Sequence, residues 1–190
     1  ASELNMAVSI FGRADALITS FDAQPEDILI AAIDHRGAYR NYDNFFAAEY
    51  KPYDELQTNL ALLPQLAEDG LVRSGKDISQ GGIIGTALML AECSGVGIDI
   101  DIAKIEPPEQ VGVMRWMRTF PSFGFLLSVS KSHLSAVQKR FRDHGVTAQA
   151  IGKINDGTML NLCMGDQSVP FWNYQKTPFL GLGKMEANYA

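Results

Sequence analysis

The chain has 190 residues, 46% of them hydrophobic and 20% charged, with a formal net charge of −6 and a sequence pI near 5.0. That is enough apolar material for one domain with its own core; the acidic balance excludes a nucleic-acid backbone as main partner, and two cysteines exclude a disulfide framework. No apolar run reaches the roughly 18 residues needed to cross a bilayer, and the first residues lack the pattern of a signal peptide, so a cytoplasmic protein without a membrane partner is expected.

The chain opens Ala1-Ser2-Glu3 without an initiator methionine, which reads as a piece of something longer. Residues 5–11 alternate, with Met6, Val8 and Ile10 on one side, and predict a strand. After a turn around Pro25, Ile28-Leu29-Ile30-Ala31-Ala32-Ile33 predicts a strand buried on both faces. A polar and aromatic loop follows, Asp34-His35-Arg36-Gly37-Ala38-Tyr39-Arg40-Asn41-Tyr42-Asp43. Residues 53–69 keep helical spacing at Leu56, Leu60 and Leu63, with Pro64 set to kink the helix or begin a second one and Gly70 to end it.

A short strand over 71–76 runs into Asp77-Ile78-Ser79-Gln80-Gly81-Gly82. There a helix begins, with Ile83, Ile84, Ala87, Leu88 and Ala91 on its apolar stripe, and it stops at Ser94-Gly95. Residues 97–102 set Ile98, Ile100 and Ile102 against Asp99 and Asp101, a strand with one polar face. A short helix is expected over 109–118 and a buried strand over 124–129. Ser130 is expected to cap a helix carrying Leu134, Val137 and Phe141, with Gly145 as its stop. Strands over 148–154 and 159–164, joined at Asn155-Asp156-Gly157, read as a hairpin; residues 168–190 read as irregular chain. The order predicts an α/β (α+β) fold, a mixed sheet packed against helices, and not an all-parallel doubly wound sheet.

The strongest candidate for chemistry is the run from Asp77 to Gly82. Two glycines at a strand-to-helix junction allow close approach of a ligand, and first-turn amides can hold an anion. Asp77 and Ser79 could contribute hydrogen bonds or simply cap the helix. Arg36 and Arg40 bracket Gly37 after the buried strand, a basic pair able to grip phosphate or carboxylate, with ordinary exposed arginines as the bland alternative. His35 is the best-placed histidine for proton transfer; His133 and His144 read as capping or solvated. Cys93 and Cys163 sit in apolar runs and read as buried. Trp116, Trp172 and Tyr174 read as packing, with Trp172 a candidate for an oligomer contact. No catalytic residue is identifiable, and no Cys/His spacing suits zinc, so no metal site is expected in this chain.

Two stretches together resemble the aminoimidazole ribonucleotide (AIR) synthetase superfamily: Lys76-Asp77-Ile78-Ser79-Gln80-Gly81-Gly82-Ile83-Ile84-Gly85, and Ala91-Glu92-Cys93-Ser94-Gly95-Val96-Gly97-Ile98-Asp99-Ile100-Asp101. The segments 120–129 and Ala150-Ile151-Gly152-Lys153-Ile154 are similar to later elements of that family. Pro25-Glu26-Asp27 is like the family's Pro-Gly-Asp, with Glu26 where glycine is usual. The resemblance implies the family's carboxy-terminal domain fold, partly ferredoxin-like, over residues 41–175. Residues 1–40 would be a remnant or linker from an amino-terminal ATP-binding domain, and residues 176–190 an irregular tail. It further implies ATP and Mg2+ in the full-length protein, none bound by this piece alone, and an oxygen of a small-molecule substrate activated by phosphorylation. A homodimer is expected. Within this chain the candidate phosphate- or substrate-binding positions are Asp77, Ser79, Gln80, Gly81 and Gly82 at the helix start and Arg36, Gly37 and Arg40 on the loop after the buried strand. Gln80 departs from the Asp or Gly of many members, which leaves a non-catalytic binding or dimerisation module of the same fold as the alternative.

Overall fold

The computed structural model describes residues 7–40, 43–49 and 51–182. In chain order the elements are β1 (Ile28–Ile33), β2 (Ala38–Tyr39), β3 (Asn44–Phe46), α1 (Tyr53–Leu60), α2 (Leu62–Glu68), β4 (Ser74–Asp77), α3 (Gly82–Ser94), β5 (Gly97–Asp101), a 3-10 turn (Ile102–Lys104), α4 (Val113–Trp116), β6 (Phe120–Pro121), β7 (Gly124–Val129), α5 (Leu134–Asp143), β8 (Thr147–Asn155), β9 (Met159–Met164) and β10 (Gln167–Asn173). Seven strands form a mixed sheet in the order β10-β9-β5-β8-β1-β7-β4, and β2-β3-β6 form a small second sheet. All pairs in the large sheet are antiparallel except β5 with β9. Helix α3 packs on β4, β5, β7 and β9, while α5 packs on β8 and α2. The expected mixed sheet against helices is what forms.

Leu29 to Ile33 are each at most 2% exposed. Successive side chains point to opposite faces, so β1 is covered on both. It lies between β8 and β7, which means the sheet draws a central strand from upstream of residue 40. The helical run over 53–69 divides before Pro64, as its missing N–H favours. Gly70, Gly95 and Gly145 adopt left-handed φ at the helix ends where stops were expected. Glu26, at the family's usual glycine position, also has a left-handed φ of 72°, the conformation glycine adopts most readily.

Several expectations need correction. Residues 7–11 form no strand: Val8 is 73% exposed, Ile10 88% and Phe11 100%, and among the described residues no strand lies beside them to complete their hydrogen bonds; Asn5 and Met6 lie outside the described residues. The helix over 109–118 shrinks to one turn, α4. Ser130 does not cap α5. Its hydroxyl lies 3.0 Å from that of Ser132, and the residue at the cap position is His133, without a side-chain cap bond.

The hairpin at Asn155-Asp156-Gly157 is split. Strand β5 lies between β8 and β9, pairing Gly97 with Asn155 and Ile98 with Leu160. A link of residues 156–158 can still span the roughly 10 Å between strands two places apart. It crosses over the start of β5 where Gly97 has no side chain: a Cβ there would lie 2.1 Å from Asn155 Oδ1. The hairpin that does form joins β9 to β10 through Gly165-Asp166, with Met164 paired to Gln167. Residues 168–173, expected to be irregular, thus belong to an edge strand. Pro170 is tolerated there, next to a register shift. Cys93 is buried as expected, but Cys163 is half-buried; it pairs across from Asp101, on the polar side of the strand.

Candidate functional site at one end of the sheet

Three strands end or begin together. Ile33 at the end of β1 pairs with Gly124 at the start of β7, and Asp77 at the end of β4 pairs with Phe125. Backbone bonds extend the alignment, from Asp34 N–H to the Phe123 carbonyl (3.1 Å) and from Ile78 N–H to that of Gly124 (2.9 Å). The loop after Ile33 and the helix start after Asp77 therefore leave the same end of the sheet.

Residues 113–121 join these two parts. The Met117 carbonyl accepts the Ile83 N–H at 2.9 Å, which ties α4 to the first turn of α3. On the other side, Trp116 is buried, with the His35 and Phe45 rings edge-on to it, each centroid at 5.1 Å. Tyr39 and Thr119 hydroxyls share a hydrogen bond. The Arg115 guanidinium lies over the Tyr39 ring at 3.7 Å and pairs with Asp43 at 3.1 Å. Trp116 Nε1 and Asn59 Nδ2 are buried without an acceptor among the described residues.

At the helix start, Gln80 and Gly81 are exposed, Ser79 is half-buried, and Asp77 is exposed beside Lys76 at 3.2 Å. Gly81 occupies the cap position, and no side chain caps α3; the capping role considered for Asp77 and Ser79 is not what forms. Gly82 has a left-handed φ of 63°, and a Cβ on it would lie 2.3 Å from the Met117 carbonyl oxygen. Part of the amide set is already engaged: Gly82 N–H with the Ser79 carbonyl (2.9 Å), Ile83 N–H with Met117, and Ser79 N–H with Thr86 Oγ1 at 3.4 Å.

The loop is built around a buried carboxylate. Asp34 is 0% exposed and accepts bonds from Arg36 Nε at 2.9 Å, Arg36 Nη2 at 2.8 Å and Lys51 Nζ. Burial pushes its pKa up, but the hydrogen bonds from Arg36 and Lys51 outweigh that and hold it below the ordinary carboxylate value. Arg36 also pairs with Glu55 at 2.9 Å and donates to the His144 carbonyl at 3.1 Å. Its fork is thus committed within the protein and orders the loop. Gly37 is crowded, since a Cβ would lie 2.5 Å from the Phe46 carbonyl oxygen. Arg40 pairs with Glu49 at 3.2 Å and stacks 5.8 Å from the Phe46 centroid. His35 is pushed down by burial despite the nearby Asp34 and Glu106 carboxylates, so its imidazole is neutral at pH 7.

Sequence reading missed Asp34, Lys51 and Glu55 as the anchor of this loop, and Arg115, Thr119 and exposed Arg118 beside Gly82. Asp34 had a signal, as the first charge after an apolar strand. Lys51 had none, because only the fold of β2 on β3 returns it to Asp34. Among the described residues no group of three or more His, Cys, Asp or Glu could hold a metal ion. No helix there is long and apolar enough to cross a membrane.

The fold and this shared end define a mixed α/β domain whose glycine-opened helix and arginine-bearing loop face one side. The family described as AIR synthase related protein, C-terminal domain, matches residues 36–163, and the chain belongs to it. An uncharacterised protein of Synechocystis is 43% identical over 178 residues, 93% of this chain and 55% of that protein. A second, from Methanocaldococcus jannaschii, is 28% identical over 91% of this chain and 54% of its own length. The chain spans about half the length of these curated relatives. A probable phosphoribosylformylglycinamidine synthase of Arabidopsis thaliana is 34% identical over 98 residues, 51% of this chain and 6% of that protein. Among solved structures, Thermotoga maritima PurL complexed with ATP aligns with TM-score 0.64 and 13% identity over 82% of this chain and 27% of that one. HypE in the HypE–HypF complex aligns with TM-score 0.61 and 16% identity over 82% and 55%. At such identities these two show a shared fold.

Proposed function

We propose that this chain is the carboxy-terminal, cleft-closing half of a cytoplasmic ATP-dependent enzyme that activates an oxygen of a small-molecule substrate by phosphorylation. The observation that carries the proposal is the convergence of the 34–40 loop and the 77–82 helix start on one end of the sheet, joined by residues 113–121. The resemblance implies that this domain helps to hold phosphate or substrate, and a Thermotoga maritima protein of the same fold has been solved with ATP. In this reading Gln80 and Gly81, exposed at the helix start, meet the substrate's anionic group, with Asp77 and Ser79 beside them. Gly82 allows the close packing that fixes this turn. Arg36, Gly37 and Arg40 shape and charge the opposite loop, with Arg36 acting through its clamp on Asp34.

Nucleotide and magnesium would be held by an upstream domain, since the described residues offer no cluster of metal ligands. Bound there, magnesium-ATP supplies the phosphoryl group; the residues of this chain orient the acceptor and exclude water. The exposed alternation of Val8 and Ile10, with Phe11 exposed next to them, suits a strand completed by that domain. A homodimer of the full-length protein belongs to the same proposal.

Calorimetry of the full-length protein with magnesium-ATP tests the reading, with binding expected and its absence refuting it. The second reading, a binding module that keeps only the fold, is favoured by Gln80 in place of an acid and by the amides already engaged around Gly82. It would be supported if the full-length protein bound no nucleotide yet remained folded and dimeric.

A further inference from the structure

At the opposite end of the same strands lies a cleft of about 290 Å³ that the proposed function does not use. Ser74 of β4 stands directly across from Ser128 of β7, and both are buried. Asp77 is three residues further along β4, so this cleft is separated from the substrate end by about 10 Å of strand. Asp22, Asp27, Arg73, Ser130 and His133 complete the polar lining.

The groups in this cleft are only partly satisfied. Ser128 Oγ donates to Asp27 Oδ2 at 2.6 Å, and Asp27 Oδ1 accepts nothing among the described residues. Ser74 Oγ donates to the Thr19 carbonyl at 2.9 Å, and Thr19 in turn donates to Asp22. His133 Nδ1 lies 3.3 Å from the Leu71 carbonyl, which leaves Nε2 without a partner among the described residues. The exposed Arg73 guanidinium likewise makes no ion pair or hydrogen bond there. One cleft thus offers a free guanidinium, a free imidazole nitrogen and a free carboxylate oxygen held in place by a buried serine.

We propose that this cleft is a second ligand site, taking a small zwitterion of the α-amino acid class. Arg73 receives its carboxylate in a forked pair, and Asp27 receives its ammonium. Charge decides against the simpler ligands. Two aspartates disfavour phosphate or a second carboxylate, and Arg73 disfavours a bare amine. Size decides against a nucleotide, because the cleft sits at the lower edge of the range of about 300–1,000 Å³ for small-molecule sites. The site is independent of the proposed reaction at the other end.

The test is calorimetric titration of the full-length protein with glycine, L-serine and L-aspartate, alongside acetate, methylammonium and inorganic phosphate. At least one amino acid should bind with a millimolar or tighter Kd, and acetate and methylammonium at least about tenfold more weakly. Arg73→Gln and Asp27→Asn should each weaken the amino acid by about tenfold or more while leaving magnesium-ATP binding unchanged. Arg73 is exposed, so Arg73→Gln remains decisive even if Asp27→Asn fails to fold. The proposal is overturned if no amino acid binds the parent, if Arg73→Gln binds as the parent does, or if phosphate binds more tightly than every amino acid.

Discussion

Replacing Gly82 with alanine should unlock the junction between α3 and α4. Three effects set the size of the loss. A residue with a Cβ held at the left-handed φ of 63° costs about 1–2 kcal/mol. The new Cβ would lie 2.3 Å from the Met117 carbonyl oxygen and 2.6 Å from Arg118 Cα, both backbone atoms that cannot rotate aside. The 117–118 segment must shift, and with it goes the 2.9 Å bond from Ile83 N–H; a buried amide left without a partner costs about 1–3 kcal/mol. Alanine's smaller unfolded-state entropy returns about 0.4–1 kcal/mol. The balance is a loss of about 3 kcal/mol, which for a domain of this size lowers Tm by about 6–12 °C. Gly85 is the internal control. It lies inside the same helix, and a Cβ there meets nothing within 4 Å, so Gly85→Ala should gain about 1 kcal/mol from helix propensity. Urea and thermal unfolding of both variants decide the matter. If Gly82→Ala is as stable as the parent, or if the two variants lose equally, the close approach of α3 to residues 117–118 is not what requires glycine.

The Asp34 clamp should give a pH signature. Its folded pKa is depressed, so its contribution is present above the unfolded value of about 3.9 and is lost as pH falls through the folded value. Urea midpoints of the parent should therefore fall more steeply below about pH 4 than those of Asp34→Asn; parallel slopes would contradict the clamp. Arg36→Ala should cost about 2 kcal/mol, less than the about 3–5 typical of breaking a buried pair, because Lys51 still faces Asp34. Buried Glu92 accepts backbone bonds from Phe179 (3.0 Å), Leu180 (2.8 Å) and Gly181 (2.8 Å), so Glu92→Ala should strip hydrogen-exchange protection from those amides, and unchanged protection would refute the latch. Burial, then the Glu92 charge, pushes the Cys93 thiol up. At pH 7 a disulfide reagent should modify half-buried Cys163 first and reach Cys93 only on unfolding, and equal rates would count against this.

The sequence by itself determined the elements whose causes are local. The unbroken apolar run of β1 announced a strand covered on both faces. The stripe of α3 with Gly95 behind it announced a bounded helix, and the motif from Asp77 to Gly82 with the closing Glu92-Cys93-Ser94-Gly95 marked the family. Tertiary structure decided what depends on neighbours distant in the chain. Strands β8 and β9 carry the alternation and turn of a hairpin whether or not β5 lies between them, so only the sheet order separates the two cases. Val8 and Ile10 alternate like a strand, but among the described residues no partner strand lies beside them. Arg36 and Arg40 look alike in a loop; Arg36 became a clamp because Asp34 is buried beneath it and Lys51 and Glu55 return to the same place. The helix start at Gly81 was legible as a place where backbone could meet an anion. That Gly82 spends its freedom on Met117 followed only from how α4 packs, because a close approach between backbones leaves no mark on the spacing of side chains.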